Sequence, residues 1–375
     1  MAVSQMLFLN RVQFGVGALD FLAAEMEALA IRRPLIVADE GIVQLGLAER
    51  IGALAKTQLI YSAVPPNPTE ASVLQALDVY KGYGCDGIIA VGGGSPIDLA
   101  KAVALLATHE PPLERYAMIY GGMDLIGPTV PIIAIPTTAG TGTEVGRGAL
   151  IALASGSKLV FASRHLLPAV ALCDPSLTLT LPARMTAATG MDAFSHCVEA
   201  YLSPRLNPPV DAIVIDGARR AWRSLQRAVE SPSDTDARAD MMMASIEGGL
   251  GFQKGLGAVH ALSHPLGALS EVSLHHGTCN AVILPSVIRF NRSVAANRIE
   301  DLERALSLPH GLRLDQAIEE RNERTGLPTS LRAMGVTPAM VPTLVRGALA
   351  DHSRPTNPRD LDEVGVSTLY SELLA

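Results

Sequence analysis

Four of the nine histidines of this 375-residue chain fall in the short segment HALSHPLGALSEVSLHH, residues 260–276, and upstream the segment GMDAFSHCVEAY carries Asp192 and His196. Residues four apart on a helix share a face, so Asp192 with His196 and His260 with His264 each form a compact pair of potential ligands. One carboxylate with several imidazoles is a donor set suited to a borderline divalent ion such as Fe²⁺ or Zn²⁺. Each histidine taken alone is an ordinary core or surface residue. The grouping is what points to a metal centre.

A second set of residues is suited to anions. In VGGGSPIDLAKAVALLA a β-rich run enters three glycines, including Gly93 and Gly94, and then a helix. Glycines allow close backbone approach, and the free N–H groups of a helix start complement a phosphate. Ser95 and Asp98, with Pro96 between them, also fit an ordinary capping box. The GxGxxG spacing is absent, and GTGTEVG at 140–146 is only a look-alike. Asp39 closes an early apolar run, where a carboxylate could accept from an adenosine ribose and repel a 2′-phosphate, favouring NAD over NADP. Thr137, Thr138, Thr141 and Thr143 in PTTAGTGTE gather hydroxyls at another such end, suited to a diphosphate or a ribose.

These groups need elements to hold them. PLIVAD (34–39), DGIIAVGGGS (86–95) and TVPIIAIPTT (129–138) read as buried parallel strands ending at ligand-facing loops. Residues 1–182 thus predict an α/β layer sandwich. Beyond LPARMTAATG the stretches 192–203, 211–229 and 236–264 read as helices, and SPSDTDARAD (231–240) as a polar loop entering a helix, so residues 183–375 predict an all-α domain. The length favours two hydrophobic cores.

Composition excludes other classes. With 30 basic and 37 acidic residues the chain lacks the electrostatic footprint of a nucleic-acid binder. No apolar run is long enough to span a bilayer, and MAVSQMLFLNRVQFG has no secretory-leader pattern. Cys85, Cys173, Cys197 and Cys279 are scattered without a CxxC pair, which predicts reduced thiols in a cytoplasmic protein.

Taken together, GGGSPIDLAK, PTTAGTGTE, DPSLTLTLP, GMDAFSHCVEAY, GLGAVHALSHPLG and HHGTCNAVILP follow the order found in the iron-containing (group III) alcohol dehydrogenases. The resemblance extends from FGVGAL to NPRDLDEVG. It implies a Rossmann-like dinucleotide-binding domain of the dehydroquinate synthase and glycerol dehydrogenase type, a helical second domain, and a deep cleft between them. It implies Asp192, His196, His260 and His276 as ligands of Fe²⁺ or Zn²⁺, with His264 beside the nicotinamide as the catalytic residue. The matching cofactor positions are Asp39, Asn67, Gly93, Gly94, Ser95, Asp98, Thr137, Thr138, Thr141, Lys158 and Leu177. The implied activity is NAD(H)-dependent interconversion of a small alcohol and its aldehyde by a homodimer or larger homo-oligomer.

The chain departs from the family pattern in three places. The interval from His260 to His276 is two residues longer and His275 stands where proline is common. Gln253 and Lys254 replace a frequent Ser-Asn pair, which predicts an altered substrate pocket. Gly146 replaces a common threonine, which predicts one fewer cofactor hydrogen bond. The alternatives from the same architecture are a maleylacetate reductase-like oxidoreductase, whose relatives often lack the aspartate supplied here by Asp192, and a dehydroquinate synthase-like metal-dependent lyase. A metal-dependent hydrolase is opposed by the motif order.

Overall fold

The structure, a computed structural model, describes residues 10–269, 271–272 and 274–375. The N-terminal stretch read above against a secretory leader therefore lies largely outside the described residues. The chain divides into two compact units: one of residues 10–138 and 142–178, the other of 179–375 together with Ala139–Thr141.

The first unit is built on strands β1 (Arg11–Phe14), β2 (Pro34–Ala38), β3 (Ile60–Tyr61), β4 (Gly87–Gly92), β5 (Ile132–Pro136) and β8 (Val170–Cys173), in the order β1-β8-β5-β4-β2-β3. All neighbours are parallel, with Ala38 beside Val91 and Gly92 beside Pro136. A separate antiparallel hairpin pairs β6 (Gly148–Ala152) with β7 (Lys158–Ala162). Helices α1 (Leu22–Ala28), α2 (Glu40–Gln44), α3 (Leu47–Ala55), α4 (Glu70–Gly82) and α5 (Gly94–Thr108) complete the unit.

The near-continuous apolar strands follow from burial on both sheet faces. Leu35, Val37, Ile88, Ala90, Ile132 and Ala134 pack with residues of α4 and α5, such as Val73 and Val103. The alternate residues Ile36, Ala38, Ile89, Val91, Ile133 and Ile135 pack with Leu22, Met26, Ile51 and Ala55 of α1 and α3. From β2 the chain moves outward to β3 and then returns to β4 on the opposite side of β2. That reversal leaves a crevice beyond the carboxyl ends of β2 and β4, the usual ligand position in an open parallel sheet.

The second unit contains α6 (Ala183–Leu202), α7 (Pro208–Glu230), α8 (Thr235–Gly251), α9 (Ala258–Leu266), α10 (His276–Ala305), α11 (Leu314–Arg324), α12 (Val341–Ala350) and α13 (Glu363–Leu373). Its central member is α6, buried without interruption from Thr186 to Leu202 and packed by α7, α8 and α10. Asn207 and Asp234 cap α7 and α8 by accepting from Val210 and Ala237 N–H groups, satisfying donors that a helix start leaves unpaired. Among the described residues no helix is long and apolar enough to cross a membrane.

Two local expectations are corrected. Residues 236–264 do not form one helix: α8 ends at Gly251, a 3₁₀ turn covers Phe252–Lys254, and Gly255 takes φ +78° before α9 begins. The buried Lys254 ammonium is drawn into an ion pair with Asp211 and helps fix that break. Nor do Ser95 and Asp98 form a capping box. Gly93 occupies the cap position of α5, so both residues already lie inside the helix. Ser95 Oγ donates to the Pro66 carbonyl at 2.5 Å, and Asp98 is turned to other partners.

Candidate functional site

At the β2–β4 crevice the first unit brings together several residues singled out from the sequence. Asp39 follows β2 and caps α2, one oxygen accepting from Ile42 N–H at 3.0 Å. Gly93 and Gly94 follow β4, and Thr137 follows β5, its N–H donating to the Gly92 carbonyl at 3.0 Å. A Cβ built on Gly93 would lie 3.4 Å from Thr138 Oγ1. Lys158 Nζ donates to Asn67 Oδ1 at 2.8 Å, joining two residues 91 positions apart.

Other predicted positions are committed to the fold. Asp98 accepts from Thr143 Oγ1 at 2.6 Å and Leu150 N–H at 3.0 Å, tying α5 to the hairpin, and burial raises its carboxyl above the usual range. The buried Lys101 donates to the Thr143, Gly146 and Gly148 carbonyls, so the Gly146 backbone holds the loop. Leu177 is half-buried against the sheet. Thr141 groups with the second unit.

The second unit gathers the predicted ligands from three helices. Asp192 and His196 come from α6, His260 from α9, and His276 is the first residue of α10. Asp192 Oδ1 is 3.6 Å from His196 Nε2, 3.8 Å from His260 Nε2 and 3.7 Å from His276 Nε2. Donor atoms tetrahedrally arranged at about 2.0–2.2 Å from one ion lie about 3.3–3.6 Å apart. Each imidazole thus lies near that spacing from Asp192, and among the described residues ligand atoms of Asp192, His196 and His260 all fall within 4.8 Å of one another, a grouping that does not extend to His276. Gly277 permits this approach, because a Cβ there would lie 2.3 Å from the Ala188 carbonyl oxygen of α6.

The surroundings prepare these donors. Burial lowers His196 to about 4, opposed by Asp192, and keeps its imidazole neutral. Burial alone would also lower His260, but the Glu199 and Asp192 carboxylates outweigh it and raise His260 to about 9. For Asp192 burial is outweighed by the neighbouring imidazoles, which hold its carboxyl far below the usual range. An uncompensated buried carboxylate costs several kcal/mol, on the order of what the whole fold can spare. The neighbouring imidazoles compensate that charge, and a divalent ion held by the same atoms would do so in place of protons.

Sequence reasoning missed three partners of this cluster. Glu199 pairs with His260 Nδ1 and accepts from Val259 N–H at 2.7 Å, leaving Nε2 to face Asp192. This carboxylate–histidine arrangement orients metal-binding imidazoles. Asn280 Nδ2 donates to Asp192 Oδ1 at 2.6 Å and lies 3.1 and 3.0 Å from the Nε2 atoms of His260 and His276. Their local signal is spacing, Glu199 three after His196 and Asn280 four after His276. The third partner is Asp351, which has no such signal. Its Oδ2 lies 2.8 Å from His264 Nδ1, so His264 pairs with Asp351 while its ring stacks on His276 at 5.5 Å. His275 caps α10.

Comparison with known proteins shows the family of the chain. The family model for iron-containing alcohol dehydrogenases matches residues 10–175, and the model of that family's C-terminal region matches 186–374. The chain is 51% identical over 363 residues to a 4-hydroxybutyrate dehydrogenase of Cupriavidus necator, covering 94% of this chain and 95% of that protein. It is 36% identical over 379 residues to a 1,3-propanediol dehydrogenase of Citrobacter freundii, covering 96% of each. Among solved structures, a 1,3-propanediol oxidoreductase superposes with TM-score 0.93 at 33% identity over 99% of this chain and all of that one. A sulfoacetaldehyde reductase of Bifidobacterium kashiwanohense in complex with NAD⁺ superposes with TM-score 0.90 at 26% identity, covering both chains fully. The chain belongs to the iron-containing alcohol dehydrogenase family, oxidoreductases that act on CH–OH groups with NAD.

Proposed function

We propose that the chain interconverts a short ω-hydroxy acid of the 4-hydroxybutyrate type and its aldehyde, using NAD(H) and Fe²⁺, with Zn²⁺ as the alternative ion. Asp192, His196, His260 and His276 hold the ion in this reading. The observation that carries it is the convergence of three imidazole Nε2 atoms within 3.6–3.8 Å of one buried carboxylate oxygen. The substrate class is supported by the extent of identity to the 4-hydroxybutyrate dehydrogenase. Retention of Asp192 favours this reaction over a maleylacetate reductase-like one.

A divalent ion held there supplies Lewis acidity toward the substrate oxygen, and NAD supplies the hydride acceptor. The protein does the rest. Asp39 selects the ribose over a 2′-phosphate. The N–H groups of Gly93, Gly94 and Ser95 face the diphosphate. Asn67, Thr137, Thr138, Thr141, Lys158 and Leu177 complete the cofactor contacts, and Asp98 acts indirectly by holding the hairpin in place. His264 carries the alcohol proton: Asp351 takes its Nδ1–H, which leaves Nε2 as the acceptor toward substrate. Residues 1–182 act as the cofactor domain and 183–375 as the metal and substrate domain of a cytoplasmic homo-oligomer.

The test is a substrate panel assayed with NAD and NADP after loading with Fe²⁺ or Zn²⁺. The reading expects 4-hydroxybutyrate to exceed unsubstituted alcohols of equal length in kcat/KM, with net formation of NADH. Equal efficiency with 1-butanol removes the hydroxy-acid assignment, and turnover without net NADH would indicate a lyase.

A further inference from the structure

Beside the candidate metal centre lies a second group of donors, of which the proposed reaction uses His264 and Asp351 and leaves His352 without a role. His264 in the last turn of α9 faces Asp351 and His352, which directly follow α12. The two helices meet closely because Gly347 offers no side chain, and a Cβ there would lie 2.8 Å from the Pro265 ring. One ligand atom from each of His264, Asp351 and His352 lies within 4.8 Å of the others. Asp351 Oδ2 is 2.8 Å from His264 Nδ1, Asp351 Oδ1 is 3.7 Å from His352 Nδ1, and the two imidazoles stack at 5.3 Å. This group shares no residue with the inner set of Asp192, His196, His260 and His276.

We propose that His264, Asp351 and His352 form a second, inhibitory site for a borderline divalent cation such as Zn²⁺. Two imidazoles and a carboxylate are a donor set of the right type. The His352 side chain is 36% exposed whereas those of His264 and Asp351 are 15% and 9% exposed, so an ion reaches two sheltered donors past one open one. Three donors, open to water and close to an already charged centre, bind more weakly than the inner four. The outer site therefore fills after the inner one. Filling it takes the His264 Nδ1 lone pair, so the ring proton that Nδ1 shared with Asp351 moves to Nε2. Nε2–H can then only donate, and the imidazole can no longer accept a proton from substrate. This inhibitory half rests on the proposed role of His264, whereas the binding half does not.

Protein whose inner site is already loaded is dialysed against rising Zn²⁺, and bound metal is counted per chain for wild type, His352→Ala and Asp351→Asn. The proposal expects a second equivalent in wild type that both variants lack while they keep the first. A single equivalent in wild type, or an undiminished second one in His352→Ala, overturns it. Turnover is then followed against Zn²⁺, each protein relative to its own uninhibited rate. The half-inhibitory concentration should rise about tenfold or more in His352→Ala, the scale expected for losing a metal-site partner. If the second ion binds without slowing wild type, the inhibitory half and the proton-carrying role of His264 fall while the binding site stands.

Discussion

The two units build their candidate sites in opposite ways. At the sheet crevice each strand end contributes its own group: Asp39 after β2, the glycines after β4, the threonines after β5. In the helical unit Asp192, His196, His260, His264 and His276 touch one another, and their states are set mutually. The sheet site is a row of nearly independent contacts, whereas the helical site is one coupled body. Substitutions in the helical cluster should therefore be severe and non-additive, and those at the crevice mild and specific.

The largest effect is expected at the centre of the coupled body. Asp192→Asn keeps the shape but removes the charge that all three imidazoles face, so metal content should collapse. Lewis-acid assistance is worth several kcal/mol, and kcat/KM should fall by about 10³-fold or more. Metal analysis showing a normally loaded Asp192→Asn protein would break the comparison at its strongest point. His264→Ala comes next. It should keep the inner ion and bind NAD while kcat falls by about 10²-fold or more, the usual range for general acid–base assistance, with a changed pH profile. Loss of the ion would make His264 a ligand; an unchanged kcat and profile would make it a packing residue.

A smaller effect should separate the neighbours at the start of α10. His276→Ala should lower metal affinity and activity by about 10- to 100-fold or more, whereas His275→Ala should bind metal almost normally. The opposite ranking by metal analysis would misplace the fourth ligand. The mildest change is Asp39→Gly at the crevice. Glycine is tolerated at a helix cap at a cost of a few tenths of a kcal/mol, so α2 should persist. The preference for NADH over NADPH should narrow about fivefold, corresponding to about 1 kcal/mol of screened repulsion. Kinetics showing no preference in wild type would remove the role of Asp39.

The same contrast explains what was legible in the sequence. Apolar strand runs ending in Asp, Gly or Thr announce themselves locally, and β2, β4 and β5 fall where PLIVAD, DGIIAVGGGS and TVPIIAIPTT suggest. In the helical unit i, i+4 spacing within α6 and α9 picks out Asp192 with His196 and His260 with His264, whereas His276 in α10 comes only from the resemblance to the family. Local reading failed where a distant residue decides. Lys254 answers to Asp211, and the helix expected through 264 breaks there. Ser95 answers to Pro66 and Asp98 to Thr143, so no capping box forms. Asp351 reaches His264 across 87 positions, and no periodicity announces it.

The most direct test of the central claim is stepwise reconstitution of chelator-stripped protein with Fe²⁺, counting bound ions while following NADH formation from 4-hydroxybutyrate. The account predicts that activity returns in proportion to the first equivalent bound per chain, and that Asp192→Asn neither takes up that equivalent nor recovers. Full turnover by the stripped wild type, or recovery of Asp192→Asn to the wild-type rate, would contradict it.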